Sequence, residues 1–399
     1  MKIVTLSTYP LASPRHGGQH RLANIADQYR EAGHSVTSVG VQGSVLYPLS
    51  PDFIPHPPQK TLTRYIENTF LMEDWAIGQW VAGDDEAYET LAALIPPAVD
   101  VLHIEQPWLF QFARRYVQSL SGKTMTLLYG SQNIEHRLKA GIVETYLGPK
   151  HAQECAALVK ECELEAIANA DLVCTVSRED ADWTRKHTQK SVVLAPNGVA
   201  RRNIETADFV AANHFTRHHK YVLYCASAHP PNIAGFYDLF GQGIGCLAPD
   251  QRLVVAGSAG PAIQSAEQYA RTPGLAHHLV STGEVSEEIL TGLLHLAHAM
   301  VLPITLGGGT NLKTAEALWA GLHVVATPVA MRGFEQFTNS PGVTVVESAV
   351  QFRTVTRIAM SMQPLELSPS EREARTALLW GSSLRPLLEE VNKLGAKFS

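Results

Sequence analysis

The residues with the clearest chemical potential form a glycine-rich loop followed by two charged residues. Three glycines at 307–309 follow the apolar run 300–304, and a helix-compatible segment covers 311–320. A strand, a glycine loop and a helix in this order aim backbone N–H groups and a helix N-terminus at an anion. Lys313 and Glu316 are three residues apart, so on a helix they share one face. The stretch predicts a nucleotide site, in which the cation binds a diphosphate and the carboxylate binds ribose hydroxyls.

The same stretch has a purely structural interpretation. A glycine-rich turn before a helix also occurs where no phosphate binds, because it lets a strand and a helix pack closely. Lys313 would then be a solvated helix residue with Glu316 as its partner. A second glycine pair, Gly17-Gly18, follows the first β-like run at 3–7. Because glycine has no Cβ to obstruct a ligand, this second loop favours the phosphate interpretation.

The size and charge of the chain narrow its class. At 399 residues it is too long for one compact core, which predicts two domains. With 45% hydrophobic residues, 18% charged residues and a net charge of −6, the composition does not indicate nucleic-acid binding. The basic spots Arg201-Arg202 and 217–220 flank a predicted connecting segment and are interpreted as solvated charge.

Two further observations concern the compartment. The five cysteines are odd in number and lack the spacing of a metal site, which fits a reducing environment. No stretch approaches the ~20 apolar residues that span a bilayer. We expect a cytoplasmic protein, and peripheral contact with the inner face of the membrane stays open.

The apolar pattern repeats one scheme twice. Short connections between strands and helices predict parallel sheets, hence two doubly wound α/β domains. The predicted strands are 3–7, 35–39, 101–104, 124–129, 172–176 and 192–195, then 221–226, 252–256, 278–281, 299–303, 323–326 and 343–346. The predicted helices are 22–32, 108–120, 151–168, 233–240, 287–297, 311–320 and 370–394, the last with a break near Gly381.

These patterns set the expected domains. We predict a first domain at 1–200 on the acceptor side, a linker at 201–220, a donor-binding domain at 221–375, and a C-terminal helix at 376–399 that packs back on the first domain. In such sheets ligands bind outside the carboxyl ends of the strands. The aromatic-rich segment 60–82 is interpreted as a core helix, and a surface for a lipid-linked or aromatic acceptor is the alternative.

A series of short motifs then points to a family. The pieces in order are Gly17-Gly18, DVLHIEQP (100–107), SQNIEHRLK (131–139), ADLVCTVS (170–177), PNGV (196–199), CASAHPPN (225–232), VVAGSAG (254–260), STGEVSEEI (281–289) and GGGTNLKTAEALWAGLHVVAT (307–327). In order and spacing the chain resembles the retaining, nucleotide-sugar-dependent glycosyltransferases of the GT-B fold, family 4 (group 1). The resemblance implies two Rossmann-like domains with an interdomain cleft and a C-terminal helix that crosses back to the first.

The resemblance also implies roles for individual residues. In the second domain, Glu316 would accept hydrogen bonds from the ribose hydroxyls. The remaining donor-site positions are matched by motif: Gly283, Glu284 and Val285 to the segment whose backbone meets the nucleobase, Gly309, Thr310, Asn311 and Leu312 to the loop around the donor sugar and diphosphate, and Gly17 and Gly18 to the first-domain loop that closes over the phosphates.

The chain departs from the family pattern at several of these positions. Gly308 stands where the family has the first glutamate of its paired-glutamate motif. Ser227 and Pro231 stand where the family has basic phosphate contacts, and Lys313, typical of a subgroup written GxGTxLK, would replace that charge. Gln132 stands where relatives often have histidine.

The expected chemistry is stabilisation of the leaving diphosphate. Preorganised N–H groups and a cation serve this purpose, and we assign it to Gly17, Gly18, the 307–310 loop and Lys313. The resemblance implies that phosphate oxygen helps to deprotonate the acceptor, so a dedicated base is not required. Polar residues at predicted strand ends of the first domain would orient the acceptor: His103 and Glu135, with Glu105, Asn133 and His136.

Each of these assignments has a structural alternative. A buried, hydrogen-bonded His103 and a helix-capping Asn133 or Glu135 are the alternatives in the first domain. His229, at a strand end in the second domain, would touch the donor or the acceptor. No DxD pair or histidine cluster is present, so we expect no metal site and no tightly bound cofactor.

Together these observations predict a transferase that moves a sugar from a nucleotide-diphosphate sugar to a carbohydrate, lipid-linked or other hydroxyl acceptor, with retention, in polysaccharide or glycoconjugate biosynthesis. Two other functions stay open. A sugar-nucleotide epimerase has the same architecture but a denser acidic and histidine constellation. A catalytically degenerate partner subunit would explain the missing glutamate at Gly308 and the missing basic residues. The oligomeric state is not indicated.

Overall fold

The computed structural model describes residues 1–120 and 125–395 of the chain. It forms two compact units, one of Met1–Pro196 joined by the segment from Ser383 onward, the other of Asn197–Ser382. Thr124, the predicted start of one strand, and residues 396–399 of the predicted C-terminal helix lie outside the described residues.

The first unit is built on a parallel seven-stranded sheet. Its spatial order is third, second, first, fourth, fifth, sixth, seventh. The strands are β1 (Lys2–Ser7), β2 (Ser35–Val41), β3 (Phe53–Ile54), β4 (Val101–Glu105), β5 (Thr126–Ser131), β6 (Leu172–Thr175) and β7 (Ser191–Leu194). The helices are α1 (Gly17–Glu31), α2 (Gln59–Leu62), α3 (Glu73–Gly83), α4 (Asp85–Leu94), α5 (Phe110–Ser119), α6 (Glu135–Asn169) and α7 (Arg178–Arg185).

The second unit repeats this design with a parallel six-stranded sheet. Taking its strands as one to six along the chain, the spatial order is three, two, one, four, five, six. The strands are β8 (Tyr221–Cys225), β9 (Arg252–Ala256), β10 (Leu279–Gly283), β11 (Ala299–Leu302), β12 (His323–Ala326) and β13 (Val343–Val345). The helices from this point are α8 (Thr206–Thr216), α9 (Pro230–Phe240), α10 (Ala259–Ser265), α11 (Glu267–Arg271), α12 (Leu275–His278), α13 (Glu287–Leu296), α14 (Leu312–Ala320), α15 (Ala349–Ser361), α16 (Pro369–Arg375), α17 (Trp380–Ser383) and α18 (Arg385–Gly395). Short 3₁₀ turns cover Thr69–Leu71, Glu335–Phe337 and Thr376–Leu378, and α18 lies against β7 of the first unit.

Burial on both faces explains why these strands are continuous apolar runs. All four residues of β11 and all four of β12 are buried, as expected for central strands of a parallel sheet covered by helices on both sides. Two hydrophobic clusters flank the second sheet, and a third fills the first unit. Rigid strands therefore carry the loops at their carboxyl ends, where the candidate site residues lie.

All twelve predicted strands are present, with ends shifted by a few residues at most. The sequence pattern did not reveal β3, which has only two residues, nor the helices α4, α7, α8, α10, α11, α12 and α15. The predicted helix at 151–168 is the second half of α6, which is kinked at Gly148 (φ 80°) ahead of Pro149. His278, predicted to begin a strand, ends the short helix α12 instead.

The segment 201–220, predicted as a linker, contains α8 as part of the second unit. This helix packs closely on α13, and a Cβ added at Gly292 would collide with the backbone oxygen of Asp208. The Glu205 side chain caps the helix together with Asp208. Its apolar residues are spread around the helix rather than along one face, so their spacing did not reveal it.

The aromatic-rich segment 60–82, predicted as a core helix, is broken into α2, the 3₁₀ turn Thr69–Leu71 and α3, and α3 contributes most of its core residues. Trp75, Ile77 and Val81 on α3 are buried, and Trp80 packs partly buried against the same cluster. These contacts agree with the core interpretation of this segment.

We expect Gly235→Ala to lower the stability of the second unit. Gly235 on α9 lies against the chain that leaves β11, and an added Cβ would collide with the carbonyl oxygen of Pro303. Such overpacking typically costs about 1–3 kcal/mol. The control is Gly141→Ala within α6, where nothing lies within 4 Å of the added carbon and alanine should stabilise the helix by about 0.5–1 kcal/mol. Thermal unfolding of both variants tests this, and equal melting temperatures would contradict the close packing.

Candidate functional site

Each unit has one place where its strand order reverses. In the first sheet it lies between the neighbouring strands β1 and β4, and in the second between β8 and β11. The loops that leave two such strands go to opposite faces of the sheet, so a crevice opens at their carboxyl ends. The candidate residues are therefore described by the reversal point to which they belong.

In the second unit the glycine-rich loop leaves β11 at this reversal point. Gly307 (φ 149°) and Gly309 (φ 60°) adopt backbone conformations that favour glycine. Arg332 Nη1 donates to the carbonyl oxygen of Gly307 at 2.8 Å, and Asn197 Nδ2 donates to that of Thr310 at 3.2 Å. Side chains from other segments of the same unit thus hold the loop in one conformation.

The start of α14 follows this loop directly. Asn311 is its N-cap, with the side-chain oxygen accepting from the backbone N–H of Lys313 at 3.1 Å, and Leu312 is the first helical residue. The hydroxyl oxygen of Thr310 is buried and has no hydrogen-bond partner in the described part of the chain. Buried hydroxyl groups are nearly always paired in folded proteins. Thr310 is therefore a candidate to contact a ligand at this helix end.

Three charged side chains surround the end of β8. Burial raises the pKa of Cys225, the last residue of that strand; Glu316 raises it further, and Lys313 and Arg202 lower it. Burial lowers the pKa of Lys313, while Glu316 and Cys225 act in the opposite direction. Lys313 and Glu316 thus share one electrostatic neighbourhood at the reversal point, as their spacing on a helix predicts.

The ion-pair partner of Glu316 is Arg202. Arg202 Nη2 lies 2.7 Å from Glu316 Oε1, and the two side chains are 20% and 19% exposed. The other terminal nitrogen, Nη1, contacts Glu287 Oε2 at 3.0 Å and donates to Thr291 Oγ1 at 3.3 Å. The interpretation of Arg202 as solvated linker charge was therefore wrong, because its guanidinium turns into the unit.

Arg201, by contrast, is exposed, with its guanidinium 5.6 Å from the centre of the Trp319 ring. Sequence reasoning missed the role of its neighbour because two adjacent arginines at a predicted domain boundary resemble surface charge. The sequence alone held no signal for this pairing, since Arg202 and Glu316 are 114 positions apart.

The remaining second-unit candidates lie on neighbouring loops. Gly283 ends β10 with φ 66° and has open space where a Cβ would be, and Val285 beyond it is half-buried. Gly308 is half-buried in the glycine loop. His229 is exposed and is the N-cap of α9, directly after β8. All four are at the carboxyl edge of the second sheet.

In the first unit, Gly17 and Gly18 are the first residues of α1, at the other reversal point. His16 is the N-cap and accepts from the Gln19 N–H at 3.4 Å. A Cβ on Gly18 would come within 2.8 Å of Gln132 Oε1. Gly18 thus lies against the end of the Gln132 side chain, the residue that stands where relatives often have histidine.

His103 belongs to a buried polar network in the first unit. Its side chain has no exposed surface, and His103 Nε2 lies 2.9 Å from Glu105 Oε2. If Nε2 donates to this carboxylate, Nδ1 accepts from the Tyr29 hydroxyl at 3.0 Å. Arg21 Nε donates to the other oxygen of Glu105 at 2.9 Å, and Gln132 donates to that same oxygen at 3.0 Å.

Charge balance keeps Glu105 ionised. Burial raises the pKa of Glu105, but the positive charge of Arg21 and the hydrogen bonds from His103 and Gln132 outweigh it and hold the pKa at about 2. Gly130 on the neighbouring strand makes room for this pair, since a Cβ there would collide with the Glu105 carboxylate. His103 therefore orients Glu105 from within the core.

Glu135 is the first residue of α6 and is buried. Its Oε1 accepts from Asn133 Nδ2 at 3.1 Å and Gln106 Nε2 at 3.2 Å, and its backbone N–H donates to Glu163 Oε1 at 2.8 Å. Burial, with a smaller contribution from the negative charge of Glu163, raises the pKa of Glu135 to about 7. The hydrogen bond from Asn133 and the positive charge of Lys139 lower the pKa but do not cancel this effect. A carboxyl group with such a pKa can exchange protons near neutrality.

In the ranges 1–120 and 125–395, no three His, Cys, Asp or Glu side chains are arranged to hold a metal ion. Within those same ranges, no helix combines the length and apolar character needed to cross a membrane. The five cysteines are buried and unpaired.

The second unit matches a known family. Residues 219–353 match the family described as Glycosyl transferases group 1. This confirms the group 1 glycosyltransferase part of the resemblance drawn from the motifs, and the matched segment contains the glycine loop, Lys313 and Glu316. No curated protein matches the chain.

Solved structures match the whole chain. Sucrose-phosphate synthase from Thermosynechococcus elongatus is 18% identical, with 99% of each chain covered and a TM-score of 0.70. Anabaena Alr3699/HepE in complex with UDP and glucose is 13% identical, covering 98% of this chain and 100% of that chain at a TM-score of 0.66. An α,α-trehalose-phosphate synthase (UDP-forming) from Burkholderia xenovorans in complex with glucose-6-phosphate is 12% identical, covering 99% of this chain and 100% of that chain at a TM-score of 0.63. The chain therefore has the GT-B fold with two Rossmann-like domains, as predicted.

We expect Glu135→Gln to change how stability depends on pH. The folded pKa of Glu135 is raised from an ordinary 4.5 to about 7, so its stabilising effect is fully present below 4.5 and is lost as pH rises through 7. Across that window wild type should lose roughly 2–3 kcal/mol relative to the glutamine variant, which does not titrate. Denaturant unfolding at several pH values measures the difference.

The control is Glu179→Gln, which removes an exposed carboxylate 3.4 Å from Arg137. Such exposed pairs contribute little to stability, so this variant should follow the wild-type pH profile. A Glu135→Gln profile parallel to that of wild type would contradict the raised pKa.

Proposed function

We propose that this protein transfers a glycosyl group from a nucleoside-diphosphate sugar to an acceptor hydroxyl, with retention of anomeric configuration. One observation carries the proposal. In the second unit the glycine loop, the start of α14 and the Lys313–Glu316 charge cluster all lie at the carboxyl edge of the sheet, where the strand order reverses. Doubly wound sheets bind nucleotides at this place.

The glycine loop and Lys313 would hold the diphosphate. Backbone N–H groups at a helix N-terminus, with the partial positive charge of that end, favour bound phosphate. Glycines at 307–309 let the backbone approach the phosphate oxygens closely. Lys313, on the first turn of α14, would add a positive charge. These groups would stabilise the charge that grows on the leaving diphosphate as the sugar bond breaks.

Glu316 would bind the ribose. Its Oε1 contacts Arg202, so Oε2 remains to accept hydrogen bonds from ribose hydroxyls. The nucleobase would meet the backbone of the loop at 283–285, where Gly283 leaves open space. In this assignment Thr310 and Asn311 line the donor sugar together with Gly308, Gly309 and Leu312.

We assign acceptor binding to the first unit. Glu135, with its pKa near neutrality, would orient or transiently accept the proton of an acceptor hydroxyl. His103 is a positioning residue for Glu105, because it is buried between that carboxylate and Tyr29. Gly17 and Gly18 would keep the loop before α1 close to a phosphate. The acceptor class stays a carbohydrate, lipid-linked or other hydroxyl compound, and no metal ion is required for these roles.

Affinity for nucleoside diphosphates tests the proposed donor site. Glu316→Gln should weaken binding of UDP or GDP about tenfold or more, because hydrogen bonds to a charged group contribute about 1.5–3 kcal/mol. Lys313→Ala should weaken both nucleoside diphosphates but should change uridine binding little, since uridine lacks phosphate. Isothermal titration calorimetry with purified protein measures all of these affinities.

The matched control is Glu267→Gln, which also replaces a carboxylate by an amide in the second unit. Glu267 forms an exposed pair with Arg271 on α11, so its loss should leave nucleotide affinity unchanged. Wild-type affinity for both nucleotides in the Glu316 and Lys313 variants would remove the proposed donor site.

The products formed from a donor and an acceptor test the proposed reaction. One similar structure is described with UDP and glucose, so UDP-glucose is the first donor to test, with a panel of hydroxyl acceptors. We expect UDP release that requires both substrates, and NMR of the product should show the anomeric configuration of the donor. Conversion of the donor to an epimer without an acceptor would instead indicate an epimerase. Nucleotide binding with no transfer or donor hydrolysis would indicate a degenerate subunit.

A further inference from the structure

Arg202 connects two parts of the proposed nucleoside site. Its Nη2 contacts Glu316 on α14 at 2.7 Å. Its Nη1 contacts Glu287 at 3.0 Å and Thr291 at 3.3 Å, both on α13, the helix that follows the loop at 283–285. One guanidinium therefore bridges the carboxylate assigned to ribose and the helix that carries the loop assigned to the nucleobase.

The backbone that carries Arg202 is anchored in the second unit. The Val199 N–H donates to the Leu378 carbonyl oxygen at 2.8 Å, and the Trp380 N–H donates to the Val199 carbonyl oxygen at 3.2 Å. Asn197, two residues before Val199, donates to the Thr310 carbonyl oxygen and so holds the glycine loop. The segment that leads to Arg202 is thus part of the same loop assembly as the proposed diphosphate site.

The contact with Glu316 is the stronger of the two ion pairs. Both side chains are about four-fifths buried, so water screens their attraction less than at the surface. Glu287 is 67% exposed, and exposed pairs contribute little. Removing one partner of a buried pair leaves the other charge uncompensated. Arg202 therefore fixes the orientation of the Glu316 carboxylate more than that of Glu287.

The geometry also separates Arg202 from a phosphate contact. Both of its terminal nitrogens already contact protein side chains, Glu316 on one and Glu287 with Thr291 on the other. Lys313, on the first turn of α14, is better placed to meet a diphosphate. Arg202 is then a residue that acts on the nucleotide through Glu316.

We propose that Arg202 is the positioning residue for ribose recognition. This inference rests on the proposed function, because Arg202 would act within the same nucleotide site. The guanidinium holds Glu316 through Oε1 and leaves Oε2 oriented toward the ribose hydroxyls. Nucleosides without ribose hydroxyls gain nothing from this arrangement.

The test compares two ligands that differ only in these hydroxyls. Affinities of UDP and 2′,3′-dideoxy-UDP are measured by calorimetry for wild type, Arg202→Gln, Glu316→Gln and the double variant. Arg202→Gln should weaken UDP about five- to twentyfold and should change dideoxy-UDP less than twofold. In the double variant the UDP loss should equal that of Glu316→Gln alone, because Arg202 acts through that carboxylate.

Two further variants separate positioning from a general loss of charge or fold. Arg201→Gln removes the neighbouring exposed cation and should leave both affinities unchanged. Arg202→Lys retains the charge without the planar fork, so UDP affinity should fall between wild type and Arg202→Gln. Melting temperatures show whether each variant is folded.

Equal loss of both ligands in Arg202→Gln, or additive losses in the double variant, would overturn the positioning role. Wild-type UDP affinity in Arg202→Gln would also overturn the positioning role. If Glu316→Gln still weakens UDP binding in that case, the proposed donor site stands. If wild type binds neither UDP nor GDP, the proposed function itself fails. The two failures are therefore distinguishable.

Discussion

The reversal of strand order in each parallel sheet is the constraint on which the other features depend. Between β8 and β11 the chain leaves the sheet in opposite directions, which opens a crevice at the strands' carboxyl ends. The glycine loop and the start of α14 border this crevice because they follow β11 directly. A buried, doubly covered sheet keeps that edge rigid, so small loop groups can hold a fixed geometry. The chemistry proposed here needs such fixed N–H donors.

A largely buried glutamate lies near each reversal point, and in each case an arginine compensates its negative charge. Arg21 and Arg202 each pair with a glutamate, Glu105 in the first unit and Glu316 in the second. Glu105 is fully buried, and both of its carboxylate oxygens are paired within the protein, which suits a structural role in the core. Glu316 is partly exposed and has one carboxylate oxygen left over, which suits ligand binding. The same kind of ion pair can therefore serve architecture in one unit and recognition in the other.

Much of the fold could be predicted because strand patterns in parallel sheets are strong and local. Continuous apolar runs such as β11 and β12 gave all twelve predicted strands, and the motif order gave the GT-B fold. What the pattern could not show are contacts across long sequence distances. The pairing of Arg202 with Glu316 spans 114 positions, and the enclosure of His103 depends on Tyr29, 74 positions away. Residue type alone does not tell a solvated arginine from one that turns inward, nor a histidine facing a crevice from one inside a core.

The most direct measurement of the central claim is amide hydrogen exchange with and without UDP or GDP, read by mass spectrometry. Bound nucleotide should slow exchange in peptides that cover 303–316 and 281–287, the segments assigned to the diphosphate, ribose and nucleobase. The best comparison region in the second unit is a separate cavity of about 550 Å³ lined by Cys246, Arg353 and Arg357 among others. Protection there, with none at 303–316, would contradict the account.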